Sequence, residues 1–112
     1  MNDRIKESDW RKFKELRPLA LQRYCQRVID EVKDVLDKQN PDSHDQYLEV
    51  FNIVHGGDKK LARMFDQGFS RSKAFEQLLM YYGDGLLRDD EIEQLSEENC
   101  NSIKSIVSSW EE

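Results

Sequence analysis

The stretch from Leu19 to Leu36, LALQRYCQRVIDEVKDVL, constrains the rest of the chain more tightly than any other. Leu21, Tyr24, Cys25, Val28, Ile29, Val32, Val35 and Leu36 step by three and four residues, the spacing of one side of a 3.6-period helix. Arg23, Gln26, Arg27, Asp30, Glu31, Lys33, Asp34 and Asp37 fall between them and solvate the other side. A stripe this wide needs apolar partners, which makes the segment the central helix of a bundle. The segments around it supply those partners.

Residues 1–7 are polar and read as a frayed N-terminus, with a single helical domain over 8–112. Ser8 suits an N-cap, with Asp9 in the first turn, where the helix dipole favours an anion. Trp10, Phe13 and Leu16 then recur every three residues. Pro18 lacks a backbone donor and its ring opposes the carbonyl of Lys14. A short helix that breaks near Arg17 is therefore expected, with one continuous kinked helix as the alternative. Asn40-Pro41 should stop the long helix.

Ser43 and Gln46 form an S-x-x-Q capping box ahead of Tyr47, Leu48, Phe51 and Val54, which share a face. Gly56-Gly57 is expected to end that helix, and Asp58 to cap another whose inner face is Leu61, Ala62 and Phe65. Gly68 closes it. Ala74, Phe75, Leu78, Leu79 and Tyr82 form the next stripe, closed by Gly83 and Gly85. Leu86 and Leu87 should plug into the core, and Asp89 or Asp90 should start a short helical turn. Ser96 opens a last helix lined by Cys100, Ile103, Ile106 or Val107, and Trp110. No stretch alternates as a half-buried strand does. The expected fold is all-α, a compact single-domain bundle of five to seven helices with short loops.

A chain of 112 residues is one domain by length. With 36% charged residues, five Gly and two Pro, its composition suits a charged helical fold. No apolar run approaches membrane-spanning length, and the charged opening MNDRIKESDW lacks a signal-peptide core. No membrane association is therefore expected. Cys25 and Cys100 both fall on apolar helical faces and read as reduced thiols of a cytoplasmic protein. The net charge of −6 hides an asymmetry: residues 1–29 hold eight Lys or Arg against four acids, residues 89–112 one Lys against eight acids. The two ends either attract each other or simply solvate exposed faces, with a basic surface for an anionic partner as the alternative. An acidic chain gains little from non-specific attraction to nucleic acid.

The chemistry-bearing residues form no recognisable machinery. Neither cysteine lies in a helix start or glycine turn that would activate a thiolate, and His44 and His55 read as solvated or helix-terminal residues. Two His and two Cys at these spacings match no zinc pattern. The segment from Asp84 fails as a calcium loop, with Leu86 third, Asp89 in the glycine position and Leu95 last. Gly56-Gly57-Asp58-Lys59-Lys60 is no phosphate loop. No cofactor, metal or catalytic residue is expected. A weak nucleic-acid signal remains in the helix–turn–helix pattern of residues 61–82, with Arg71 and Lys73 as the candidate anion contacts.

The runs SDWRKFKELRPLALQRYCQRVIDEV, HDQYLEVFNIV and GLLRDDEIEQLSEE are similar to those of a group of small uncharacterised bacterial helical proteins. That group opens with an S-D-W-K-x-F element and has a late G-L-L-x-D-E-E-L element. The resemblance covers most of the chain and rests on core and capping residues. It implies a bacterial cytosolic all-α domain, and it assigns no activity.

Trp10, Phe13, Phe69, Tyr81 and Trp110 are large side chains that the stripes do not all require, and surface aromatics commonly anchor interfaces. The expected function is a non-enzymatic protein-interaction module, a homodimer being one form of it, with those five residues as candidate interface. The alternatives are nucleic-acid binding through Arg71, Lys73 and the basic first helices, and small-molecule binding.

Overall fold

The computed structural model describes residues 5–111. Helix α1 spans Glu7–Asp37, α2 Ser43–Phe65, α3 Ala74–Gly83, α4 Asp89–Ile92 and α5 Glu97–Trp110. A 3₁₀ turn at Arg71–Lys73 leads into α3. Among the described residues there is no strand, and the fold is an all-α bundle.

Two sequence breakers do not break their helices. Helix α1 runs through Pro18 without interruption, the alternative to the expected break. Pro18 is exposed, while Phe13, Leu16, Ala20 and Tyr24 on either side of it are buried. An internal proline costs about 3 kcal/mol, whereas burying each large apolar side chain contributes roughly 1.5–3 kcal/mol. Packing wins.

Helix α2 likewise runs through Gly56-Gly57, and Asp58 lies inside it instead of capping a further helix. At Gly57 side chains of α1 press directly on the α2 backbone. A β-carbon there would lie 3.2 Å from Val28 Cγ2, and the Tyr24 hydroxyl donates to the Gly57 carbonyl at 2.7 Å.

Caps shift in the same way. Asp42, not Ser43, caps α2, accepting from the backbone N–H groups of His44 and Asp45. Gln46 reaches across to the Val35 carbonyl at 3.3 Å instead of closing a capping box. Lys6 takes the N-cap position of α1, so Ser8 lies within the helix. The expected frayed segment falls partly outside the described residues. Of its described part, Ile5 is buried in the core and Glu7 is helical.

The core lies at one end of the molecule. Phe13, Leu16 and Tyr24 of α1 meet Met64 and Phe65 of α2, Leu78 and Tyr81 of α3, Ile92 of α4 and Ile103 of α5. Leu86 and Leu87 plug into it from the loop, as the sequence leads one to expect.

The oppositely charged ends of the chain do meet. Arg23 grips both carboxylate oxygens of Glu91, at 2.7 and 2.8 Å, and also reaches the Leu86 carbonyl. Arg27 and Lys60 converge on Asp84. Asp9, buried in α1, accepts from the Ser96 backbone N–H and hydroxyl and from the Asn99 side chain. A residue of the first helix thus supplements Ser96 in capping the last one.

Beyond this body the α1–α2 pair continues as a two-helix arm ending in the turn at residues 38–42. The molecule measures 58 × 27 × 24 Å with a radius of gyration of 17.0 Å. About 13 Å is usual for a chain this long packed as one globule, and the difference is the arm.

Candidate functional site: an apolar groove along the helical arm

Each arm helix has two apolar seams. One joins the two helices: Tyr24, Val28 and Val35 of α1 face Gln46, Ile53 and Gly57 of α2. The other opens to solvent. Cys25, Ile29, Val32 and Leu36 of α1 and Val54 and Leu61 of α2 line a groove of about 500 Å³. Phe51 and Tyr47, at matching helical spacing, extend the α2 side toward the tip.

Apolar exposure concentrates on the arm. Leu36 is 57% exposed, Ile29 48%, Phe51 51%, Val54 44% and Tyr47 66%. Exposed apolar faces of this extent mark interaction sites in soluble folds. Two charged side chains border the groove, Lys33 on α1 and Asp58 on α2. Both are exposed, and among the described residues neither has an ion-pair partner within 4.0 Å.

The residues singled out from sequence fare differently. Phe13 and Tyr81 are fully buried and stack on one another, with ring centroids 6.3 Å apart. They belong to the core and cannot anchor an interface. Burial pushes the Tyr81 hydroxyl up to about 12. Trp10 and Phe69 form a small aromatic cluster over Phe13, with the Arg17 guanidinium 5.5 Å from the Phe69 ring centre. Trp110 lies against Gly83, where a β-carbon would come within 2.6 Å of its ring, yet remains 56% exposed.

Arg71 donates to the Ile5 carbonyl at 2.7 Å and to Glu7 at 3.2 Å, tying the start of α1 to the turn before α3. Its guanidinium is engaged within the fold, and Lys73 beside it is exposed. The arginines of α1 are similarly committed: Arg17 to the Phe65 carbonyl, Arg23 to Glu91 and Arg27 to Asp84. Among the described residues no three His, Cys, Asp or Glu side chains are grouped to hold a metal ion, and no helix is long and apolar enough to cross a membrane. Cys25 and Cys100 are free thiols.

The groove was not among the sequence-derived sites, although its signal was present. The apolar stripe of the first long helix is wider than one packing face needs, and Cys25, Ile29, Val32 and Leu36 form a second row at four-three-four spacing.

A scan against protein-family models, a search of curated proteins and a search of solved structures each return no match to this chain.

Proposed function

We propose that this protein is a non-enzymatic interaction module whose working surface is the groove of the α1–α2 arm, and that its occupant is an apolar helical face. One observation carries the reading: an arm built on two seams per helix, of which the outer one is bare. Helices with two adjacent seams are the components of four-helix bundles, where each helix packs against two neighbours. Burying an apolar side chain contributes roughly 1.5–3 kcal/mol, so covering this row supplies the binding energy. The cytoplasmic setting expected from the reduced thiols accords with this role.

Affinity capture at physiological salt, with and without nuclease, tests it by comparing the wild type with the double variant Ile29→Asp/Val54→Asp. The expected result is a bound protein, this chain or another, that survives nuclease and is lost with the double variant. Bound material that vanishes with nuclease, or capture indifferent to the two substitutions, overturns the reading. The first of those outcomes would favour the nucleic-acid alternative, against which weighs the intramolecular engagement of Arg17, Arg23, Arg27 and Arg71.

The groove's volume also suits a small apolar ligand, since such sites usually span about 300–1,000 Å³. A thermal-shift screen separates that reading, because a ligand that binds only the folded state raises its melting temperature.

A further inference from the structure

We infer that the occupant of the groove is a basic amphipathic helix of another protein. Its apolar face enters the groove while its Lys and Arg side chains meet the acidic arm. This rests on the docking role proposed for the groove and names the chemistry of the partner.

The first ground is where the charge lies. Tyr24 of α1 meets Gly57 of α2 and Val35 meets Gln46, so Val28 and Ile53 stand level across the arm. Residues 28–53, from that level to the tip, hold seven Asp or Glu against Lys33 and Lys38. The arm therefore carries a net −5 of the chain's −6, and the rest of the chain holds 15 basic against 16 acidic side chains. In the body, Asp84, Glu91 and Glu93 have cationic partners. Among the described residues none of the seven arm acids has a cationic group within 4.0 Å. Uncompensated like charge repels itself, and it steers and holds a partner of opposite sign. A second copy of this chain would bring two acidic arms together, and a phosphate backbone is repelled likewise.

The second ground is the edge of the groove. Each groove-lining residue Ile29, Val32 and Leu36 is followed by Asp30, Lys33 and Asp37, which make the outer border on α1. Asp30 and Asp37 flank Lys33 at three- and four-residue spacing and offset its charge. Asp58 borders the groove from α2. Three acids and one lysine thus frame an apolar floor. A helix whose apolar stripe is edged by Lys and Arg is the complement of that surface.

The third ground is length. From Cys25 to Leu36 the lining row rises about 16 Å, three turns of helix. Its four-three-four spacing is that of the anchors by which an amphipathic helix lies in a hydrophobic groove.

The probe is a fluorescein-labelled peptide of about 14 residues, long enough for nearly four helical turns. It carries Leu at the same four-three-four spacing and Lys elsewhere; a second peptide has Glu in place of every Lys. Fluorescence anisotropy at low and high salt compares the wild type with Ile29→Asp/Val54→Asp and with Asp30→Asn/Asp37→Asn/Asp58→Asn. All five side chains are exposed, and circular dichroism checks the fold of each variant. The lysine peptide is expected to bind the wild type at least about tenfold tighter than the glutamate peptide, and less tightly as salt rises. The triple amide variant should bind it about tenfold more weakly. Ile29→Asp/Val54→Asp should lose it, although that variant is more acidic than the wild type. Two peptides bound equally, or neither bound, overturn the basic partner. The docking role then stands if a protein captured by the wild type is still lost with the double variant, and falls if it is not. A lysine peptide held as tightly by Ile29→Asp/Val54→Asp shows ionic attraction without the groove and overturns both. Sedimentation equilibrium of the wild type closes the remaining route. Self-association abolished by Ile29→Asp/Val54→Asp would put a second copy in the groove and overturn the inference.

Discussion

Glu91 shows how single residues lock the body. Its side chain is almost fully enclosed, accepts both Arg23 nitrogens and also takes the backbone N–H of Arg88 at 2.8 Å. The Arg23 hydrogen bonds, against the opposing effect of burial, hold its carboxyl down at about 2, below its ordinary 4.5. A carboxyl depressed in the folded state contributes stability that is complete above its unfolded value and is lost as pH falls through the folded one. That loss belongs to the window from about pH 4.5 down to about 2. Glu91→Gln is expected to cost about 2 kcal/mol at neutral pH and to flatten the stability profile across that window, as urea unfolding at pH 7 and pH 3 would show. Equal slopes for wild type and variant between those values would contradict this. Asp9 is the second lock. With three donors converging on a buried carboxylate, Asp9→Ala should destabilise by about 2–3 kcal/mol and loosen the start of α5 first. Hydrogen exchange at Asn99 and Cys100 reads that loosening directly. Neither role is visible in sequence, where Asp9 is one acid in a first helical turn and Glu91 one acid in an acidic run; both depend on partners more than 60 positions away.

At the scale of elements, Gly56 and Gly57 separate intrinsic propensity from packing. Both lie inside α2 with helical backbone, and neither has a positive φ. A β-carbon at Gly56 meets nothing within 4 Å, while one at Gly57 presses on the stiff Val28 side chain. Gly56→Ala should therefore stabilise by about 0.5–1 kcal/mol. Gly57→Ala should gain less or lose, and thermal unfolding of the pair is the check. The same contrast explains what could be read from sequence alone. Apolar periodicity marked the helical segments of α1, α2, α3 and α5 and most of the core, because a helix within a bundle is held chiefly by burial of its apolar stripe. Helix ends were less legible. Proline and glycine are statistical stop signals, and near Pro18 and Gly57 the packing of α1 against its neighbours outweighs them. Ser43 and Asp42 are both competent caps, and the structure uses the one whose carboxylate meets two backbone donors.

For the whole molecule, the question is why α1 and α2 outrun the body they help to build. Within the body, their inner seams meet three further helices; along the arm, only each other. The five aromatics chosen from sequence divide by this geometry. Phe13 and Tyr81 are core, whereas Trp10, Phe69 and Trp110 cover parts of the body away from the groove. Composition could not separate these cases, because an aromatic in a stripe looks the same whether or not a neighbouring helix reaches it. Since Ile29 and Val54 are half-exposed, Ile29→Asp/Val54→Asp should melt within a few degrees of the wild type. The most direct test of the groove as the working surface is methyl NMR of isoleucine-labelled protein, followed as the protein captured by the wild type is titrated in. Ile29 lies at the centre of the groove, Ile103 in the core and Ile106 exposed on α5. The expected result is a shift of the Ile29 methyl resonance as that protein is added, with Ile103 and Ile106 unmoved. Movement of Ile106 in place of Ile29 would contradict it and put the contact surface on the body.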